Sequence, residues 1–160
     1  SAFAVLYSFQ LRNLLKGIGQ QMKWSVRDES LHSKMGCQLF RHMCEEDANL
    51  LENCRQDVIN AAETMVELEI KYIDKMFEGG EIEGIKSYDL IQFIKKRANE
   101  KLVELGYIDL GSYFPFNKEA ASNLDWFYHL TGGVTHTDFF AIRPTDYSKA
   151  NEGEDFDNIW

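Results

Sequence analysis

The sequence has little proline, little positive charge, few cysteines and no long apolar run. Its two prolines, Pro115 and Pro144, fall late in the 160 residues, so the first hundred-odd carry no proline break and suit long helices. Lysine and arginine together number 17 against 26 aspartates and glutamates, a formal charge of −9. A nucleic-acid groove binder needs clustered basic residues, and this balance argues against that class. Cys37, Cys44 and Cys54 form no C-x-x-C pair and are odd in number. They predict reduced thiols in a helical interior, hence a reducing, cytoplasmic compartment. No apolar run approaches the roughly 18 residues of a membrane span, and no charged segment precedes a signal-like core, so neither a membrane nor a secretory route is expected. Gly-rich phosphate loops, internal repeats and Ser/His/Asp or Cys/His triads are also missing. Ser1 fits removal of an initiator methionine, a protease product or the residue after a splice junction.

What is present is helical. Hydrophobic residues make up 44% of the chain, enough for one domain's core. Residues 2–16 begin apolar almost all round and predict a helix buried on several sides, broken at Gly17 and Gly19. A second helix is expected from about Gln20 to Glu46, with Met22, Val26, Leu31, Met35, Leu39, Phe40 and Met43 at helical spacing. Asp47-Ala48-Asn49 predicts a turn, and Leu50 to Phe77 a third helix with a solvated acidic face of Glu63, Glu67, Glu69 and Asp74. Gly79-Gly80 ends it. After an irregular connection, Ser87 is the expected N-cap of a fourth helix from Tyr88 to Leu105, closed by Gly106. Residues 107–118 are loop-like and aromatic. Residues 119–130 suggest a short helix. Beyond Ala141 the chain is polar and acidic yet holds Tyr147, Phe156, Ile159 and Trp160. That composition predicts a flexible tail, either a docking peptide or a frayed terminus without a role, so the expected domains are a helical part, 1–140, and a tail, 141–160.

One polar stripe crosses the apolar surface of the second helix: Ser25, Glu29, His32 and Gly36. A Glu-x-x-His pair lies on one helix face. It is half of the ligand set that ferritin-like bundles use for a di-iron or di-manganese centre, where two further helices each add a glutamate. The chain contains this motif once. Its plainer reading is a buried ion pair or a satisfied core histidine, because an unpartnered buried charge costs several kcal/mol. Gly36, one turn beyond His32, weighs against that reading, since a helix-interior glycine costs about 1 kcal/mol and is retained where space is needed. Asp28 has the spacing to orient a metal-bound imidazole by accepting its other N–H, or to form a surface pair with Arg27. His42, His129 and His136 sit in no ligand spacing and read as surface or core residues.

Several stretches, in order, resemble the small, radical-generating subunit of class I ribonucleotide reductase. They are Trp24-Ser25-Val26-Arg27-Asp28-Glu29-Ser30-Leu31-His32, Ala98-Asn99-Glu100-Lys101-Leu102-Val103-Glu104-Leu105-Gly106-Tyr107, Asn123-Leu124-Asp125-Trp126-Phe127, Thr137-Asp138-Phe139-Phe140 and Tyr147. The resemblance covers only the C-terminal half of that family's length. It implies an all-α, C-terminal half of a ferritin-like bundle with a flexible tail. By position, Glu29 and His32 would ligate one of two metals (iron, manganese or a mixed pair) and Asp28 would link the metal site to the radical pathway. Phe3 would line the apolar pocket beside the radical, and Tyr147 would pass the radical equivalent onward. Phe156 to Trp160 would dock on the large catalytic subunit, which reduces ribonucleotides to deoxyribonucleotides.

The departures from the family pattern are informative. Its remaining ligands (an Asp, a first Glu-x-x-His and a third Glu) and its radical-bearing residue all align before Ser1. Ser25 stands where the family usually has an apolar residue. The expectation is therefore a naturally split small subunit whose N-terminal half is a separate chain, with the assembled small subunit dimerising; an expression fragment is the competing explanation. The first helix would then be the second half of a longer one, and alone the chain should expose that helix's apolar face and be prone to aggregation. Two other readings stay open: a different ferritin-like di-metal carboxylate oxidase, which has no need of Tyr147 or a docking tail, and a non-catalytic helical interaction module.

Overall fold

The computed structural model describes residues 1–127, and those residues are all-α, with six helices and no strand. The expected tail, with Tyr147 and Phe156 to Trp160, lies outside them, as do His129, His136 and the Thr137-Asp138-Phe139-Phe140 stretch.

Helix α1 spans Ala2–Leu11 and α2 spans Lys16–Glu46. The break between them is not at the glycines. It falls at Asn13 and Leu15, whose φ of 60° and 48° are left-handed and cannot continue a right-handed helix. Gly17 and Gly19 lie inside α2. Gly19 is there for contact rather than as a stop: a Cβ on it would meet the Gln10 side chain at 2.1 Å, so its bare backbone lets α1 fold down against α2.

At Asp47 the chain turns, the Asp47 carboxylate accepting the Asn49 N–H at 2.9 Å. The predicted third helix is two: a short α3, Leu50–Asn53, and a long α4, Arg55–Phe77, with Cys54 at the break. Helix α5 runs Ser87–Leu105; its N-cap is Lys86, so Ser87 is the first helical residue instead of the cap. At its C-terminus, Gly106 takes φ 112° and the Tyr107 N–H bonds back to the Leu102 carbonyl, closing the helix as predicted. A 3₁₀ turn at Ile108–Leu110 and α6, Lys118–Ser122, follow. The expected 119–130 helix is thus interrupted: Asn123 and Leu124 form a turn before residues 125–127 resume helix.

Two apolar clusters hold these helices, with α5 spanning both. At one end Leu90 and Phe93 of α5 meet Ala4 and Val5 of α1, Ile73 of α4 and Leu124, with Trp126 and Phe127 packed against them. At the other, Leu102, Tyr107 and Leu110 are covered by Phe40 of α2, Leu51 of α3 and Val58 of α4. Polar groups, buried and half-buried, sew the loops to α5. Asn99 is 3% exposed, and its amide donates to the Phe114 carbonyl and accepts the Phe114 N–H, both at 2.9 Å. Asn123 donates to Asp89, and Lys96 reaches Asp125 at 3.0 Å.

The stretches that suggested the family therefore divide by role. Asn99, Leu102, Gly106, Tyr107, Asn123 and Asp125 are structural: each packs, caps or clamps the α5 end of the fold. The α2 stretch instead sets Asp28, Glu29 and His32 out toward solvent.

Candidate metal site

Helix α2 has two unlike sides. Val26 and Phe40 face inward onto the fold. On the outer side Trp24, Leu31, Met35, Leu39 and Met43 follow at steps of a helical turn or two, and all are exposed, Trp24 at 61% and Met35 at 58%. Leu31, Met35, Leu39 and Met43 were expected to supply apolar surface. They supply it to solvent, because no element among the described residues covers that face. The first helix, expected to leave its apolar face open, instead buries Ala4, Val5 and Tyr7 against the other helices; Phe3 and Leu11 are its exposed apolar side chains.

Asp28 and His32 lie within this exposed stripe, with Glu29 and Gly36 along its border. The His32 ring stands between two carboxylates. Its Nδ1 is 3.8 Å from Glu29 Oε2 and its Nε2 is 3.9 Å from Asp28 Oδ1. Both distances exceed a hydrogen bond. All three side chains are 62–67% exposed, so the buried ion pair and the satisfied core histidine are both set aside. A Cβ on Gly36 would touch nothing within 4 Å, so the space it leaves opens outward from the same face.

The donor set suits a first-row transition ion in kind, an imidazole and a carboxylate that reach one point from successive helical turns. It is incomplete in number. No group of three or more His, Cys, Asp or Glu side chains among the described residues is arranged to hold a metal. The remaining donors would have to come from the side that the exposed stripe faces. His42 belongs elsewhere: it pairs with Glu45 at 3.1 Å on the surface. Of the expected solvated acids on α4, Glu63 accepts the Tyr113 hydroxyl at 2.6 Å. No helix among the described residues is long and apolar enough to cross a membrane.

Sequence reasoning placed the Glu29–His32 pair and noted Asp28. Asp28 approaches the imidazole as closely as Glu29 does, in keeping with its i,i+4 spacing. What sequence reasoning missed was that all three side chains face solvent, since helical periodicity does not tell a covered face from an open one.

The family model described as ribonucleotide reductase, small chain, matches residues 1–113. A protein named as a probable ribonucleoside-diphosphate reductase small subunit, from Invertebrate iridescent virus 3, is 31% identical over 94% of this chain and 39% of its own length. Its counterpart from Invertebrate iridescent virus 6 is 28% identical over 100% of this chain and 50% of its own length. The ribonucleoside-diphosphate reductase subunit beta of Chlamydia pneumoniae is 28% identical over 94% of this chain and 41% of its own length. The chain thus spans between 39% and 50% of the length of these relatives. No solved structure matches it significantly.

Proposed function

The chain belongs to the ribonucleotide reductase small-chain family, and on that premise we propose that it is the C-terminal part of a small subunit that works only when a complementary N-terminal polypeptide completes its metal site. The observation that carries this reading is the α2 face. It joins the Glu29–His32 pair to an uncovered apolar stripe, in a chain that spans at most half the length of the relatives named above.

Glu29 and His32 would hold one ion of the pair, and the remaining ligands, with the radical-bearing residue, would come from the complementary polypeptide. Bound there, a di-iron, di-manganese or mixed manganese–iron centre would supply the oxidising power that turns a neighbouring residue into a radical. Glu29 contributes negative charge that offsets the metal's. Asp28, already beside the imidazole, would take the N–H of whichever His32 nitrogen is not coordinating and so hold the ring's tautomer and orientation. Packing the complementary polypeptide over Trp24, Leu31, Met35 and Leu39 would exclude water from the site and lower its dielectric. Phe3 would face the apolar pocket beside the radical. The radical equivalent would travel from the metal site through Asp28 and then Tyr147 to the large catalytic subunit that reduces ribonucleotides, and the segment 156–160 would dock there. The assembled small subunit would pair as a dimer.

Native mass spectrometry with metal analysis, on protein drawn from its own source, tests this directly. The expected result is a second polypeptide of comparable size and about two metal ions per pair. Glu29→Ala and His32→Ala should each lower that metal content, whereas Tyr147→Phe should abolish reductase turnover and leave it unchanged. Full metal content in the Glu29 and His32 variants would overturn the ligand assignment. Unaffected turnover in Tyr147→Phe would overturn the assignment to a reductase.

A further inference from the structure

The elbow between α1 and α2 holds four large apolar side chains in water. Asn13 and Leu15 turn the chain through left-handed φ there, and Leu11, Leu14, Leu15 and Ile18 are 40–57% exposed. The elbow is also basic. The first 27 residues hold Arg12, Lys16, Lys23 and Arg27 and no aspartate or glutamate, in a chain whose net charge is −9. Lys16 and Lys23 are exposed. The Arg12 guanidinium lies 4.8 Å over the Phe9 ring, with Nη1 3.2 Å from Glu83 and Nη2 without a hydrogen-bond partner among the described residues. Glu83 itself stands mostly in water, so that pair contributes little. The other exposed apolar faces have the opposite sign. Met65, Leu68 and Tyr72 on α4 lie among Glu63, Glu67 and Glu69, and the α2 stripe carries Asp28 beside Glu29.

One segment of the chain complements the elbow. Residues 152–160 carry Glu152, Glu154, Asp155 and Asp157, no basic residue, and Phe156, Ile159 and Trp160. They lie outside the described residues, which end at Phe127. That end is near the elbow. The Trp126 ring lies 6.3 Å from that of Tyr7 on α1, and Leu11 is one helical turn beyond Tyr7, about 6 Å along the axis. Glu152 is 25 residues after Phe127, a length of chain that spans up to about 80 Å. Tethering raises a segment to about millimolar effective concentration, so even a weak contact is occupied.

We propose that the acidic segment 152–160 docks on the α1–α2 elbow of its own chain. Phe156, Ile159 and Trp160 would cover Leu11, Leu14, Leu15 and Ile18, and the four carboxylates would face Arg12, Lys16 and Lys23. The contact takes two apolar surfaces out of water at once and sets acid against base. Where the same segment docks on a large subunit, as proposed above, the elbow competes with that partner and holds the segment in its absence. The docking does not depend on the metal-site reading.

Zero-length carbodiimide cross-linking of the full chain at low concentration, with peptide mapping of the monomer band, tests this. The amines of Lys16 and Lys23 should join the carboxyls of Glu152, Glu154, Asp155 or Asp157, with a yield independent of protein concentration. Leu14→Asn with Ile18→Asn, and separately Phe156→Ser with Trp160→Ser, should each cut that yield by about fivefold or more, since each pair removes apolar area that the contact buries. The link between Lys96 and Asp125, 3.0 Å apart in the fold, should form equally in every variant and reports that the fold is intact. Unchanged yield in both double variants would overturn the proposal. So would tail carboxyls joined evenly to lysines all over the surface, or links found only between chains. In the assembly drawn from its own source, Lys16 joined to the complementary polypeptide and never to the tail would overturn it as well.

Discussion

Leucine at two positions of this fold should respond to the same truncation in opposite ways. Leu102 is 2% exposed in the Tyr107 cluster and Leu39 is 63% exposed on the outer face of α2. Leu102→Ala leaves a cavity among Tyr107, Leu110 and their neighbours and should cost the chain itself about 2–5 kcal/mol. Leu39→Ala removes atoms already in water, and alanine is the better helix former, so the chain's own stability should change by about 0.5 kcal/mol or less.

Assembly reverses the order. If the complementary polypeptide covers the α2 stripe, the 63% of Leu39 now in water is the part newly buried. Fully burying a leucine is worth about 1.5–3 kcal/mol, so that fraction is worth about 1–2 kcal/mol, or a roughly 5- to 30-fold weaker complex. Denaturant titration of the chain gives the first quantity, and a titration of the complementary polypeptide gives the second. Two results would refute the reasoning: Leu39→Ala destabilising the chain as much as Leu102→Ala, or Leu39→Ala leaving the complex at wild-type affinity.

Asn99→Ala should lower stability by about 1–3 kcal/mol, seen as a drop of several degrees in Tm, because it leaves both the N–H and the carbonyl of half-buried Phe114 without the partner that clamps them to α5. Gly36→Ala should stabilise the chain alone by about 0.5–1 kcal/mol, since nothing obstructs the new methyl. It should also weaken assembly with the complementary polypeptide; unchanged affinity would show that the space at Gly36 is not used. The Arg55 guanidinium, by hydrogen bonding, holds the Asp109 carboxyl below its ordinary range. A carboxylate lowered on folding stabilises the fold above its unfolded value of about 4 and loses that contribution as pH falls through its folded value. Arg55→Gln should therefore flatten the acid limb of a Tm-against-pH curve and leave the neutral-to-alkaline limb parallel to wild type.

Much of the fold was legible in the residues, because caps and periodicity are local. Gly106 was read as the end of α5 from its place after Leu105, and φ 112° there is a conformation that glycine adopts without penalty. The turn at Asp47 and the long reach of α2 to Glu46 were read the same way. The errors came where distant residues decide. Gly19 looks like a helix break in isolation, but Gln10, nine residues earlier, occupies the space above it. No local rule forecasts that Leu15 takes a left-handed φ, since leucine rarely does. Ser87 has the chemistry of an N-cap, yet the cap position went to Lys86. A run of helix formers from Leu50 to Phe77 does not announce a break at Cys54; the corner around Tyr107 fixes where it comes.

The candidate site divides along the same line. Sequence alone determined that Glu29, His32 and Asp28 share one stretch of helix, because 3.6 residues per turn aligns i, i+3 and i+4 whatever the rest of the molecule does. It also determined that the chain carries a single Glu-x-x-His. Only the tertiary structure decided which way that stretch faces. Leu31, Met35 and Leu39 have the same spacing and hydrophobicity as core residues, and periodicity cannot tell a face covered by the chain's own helices from a face left to solvent. The packing of α1, α3 and α5 onto Val26, Phe40 and their side of α2 used up the available helices. It left the Glu29–His32 pair on the opposite side, where burial depends on atoms that these helices do not contain.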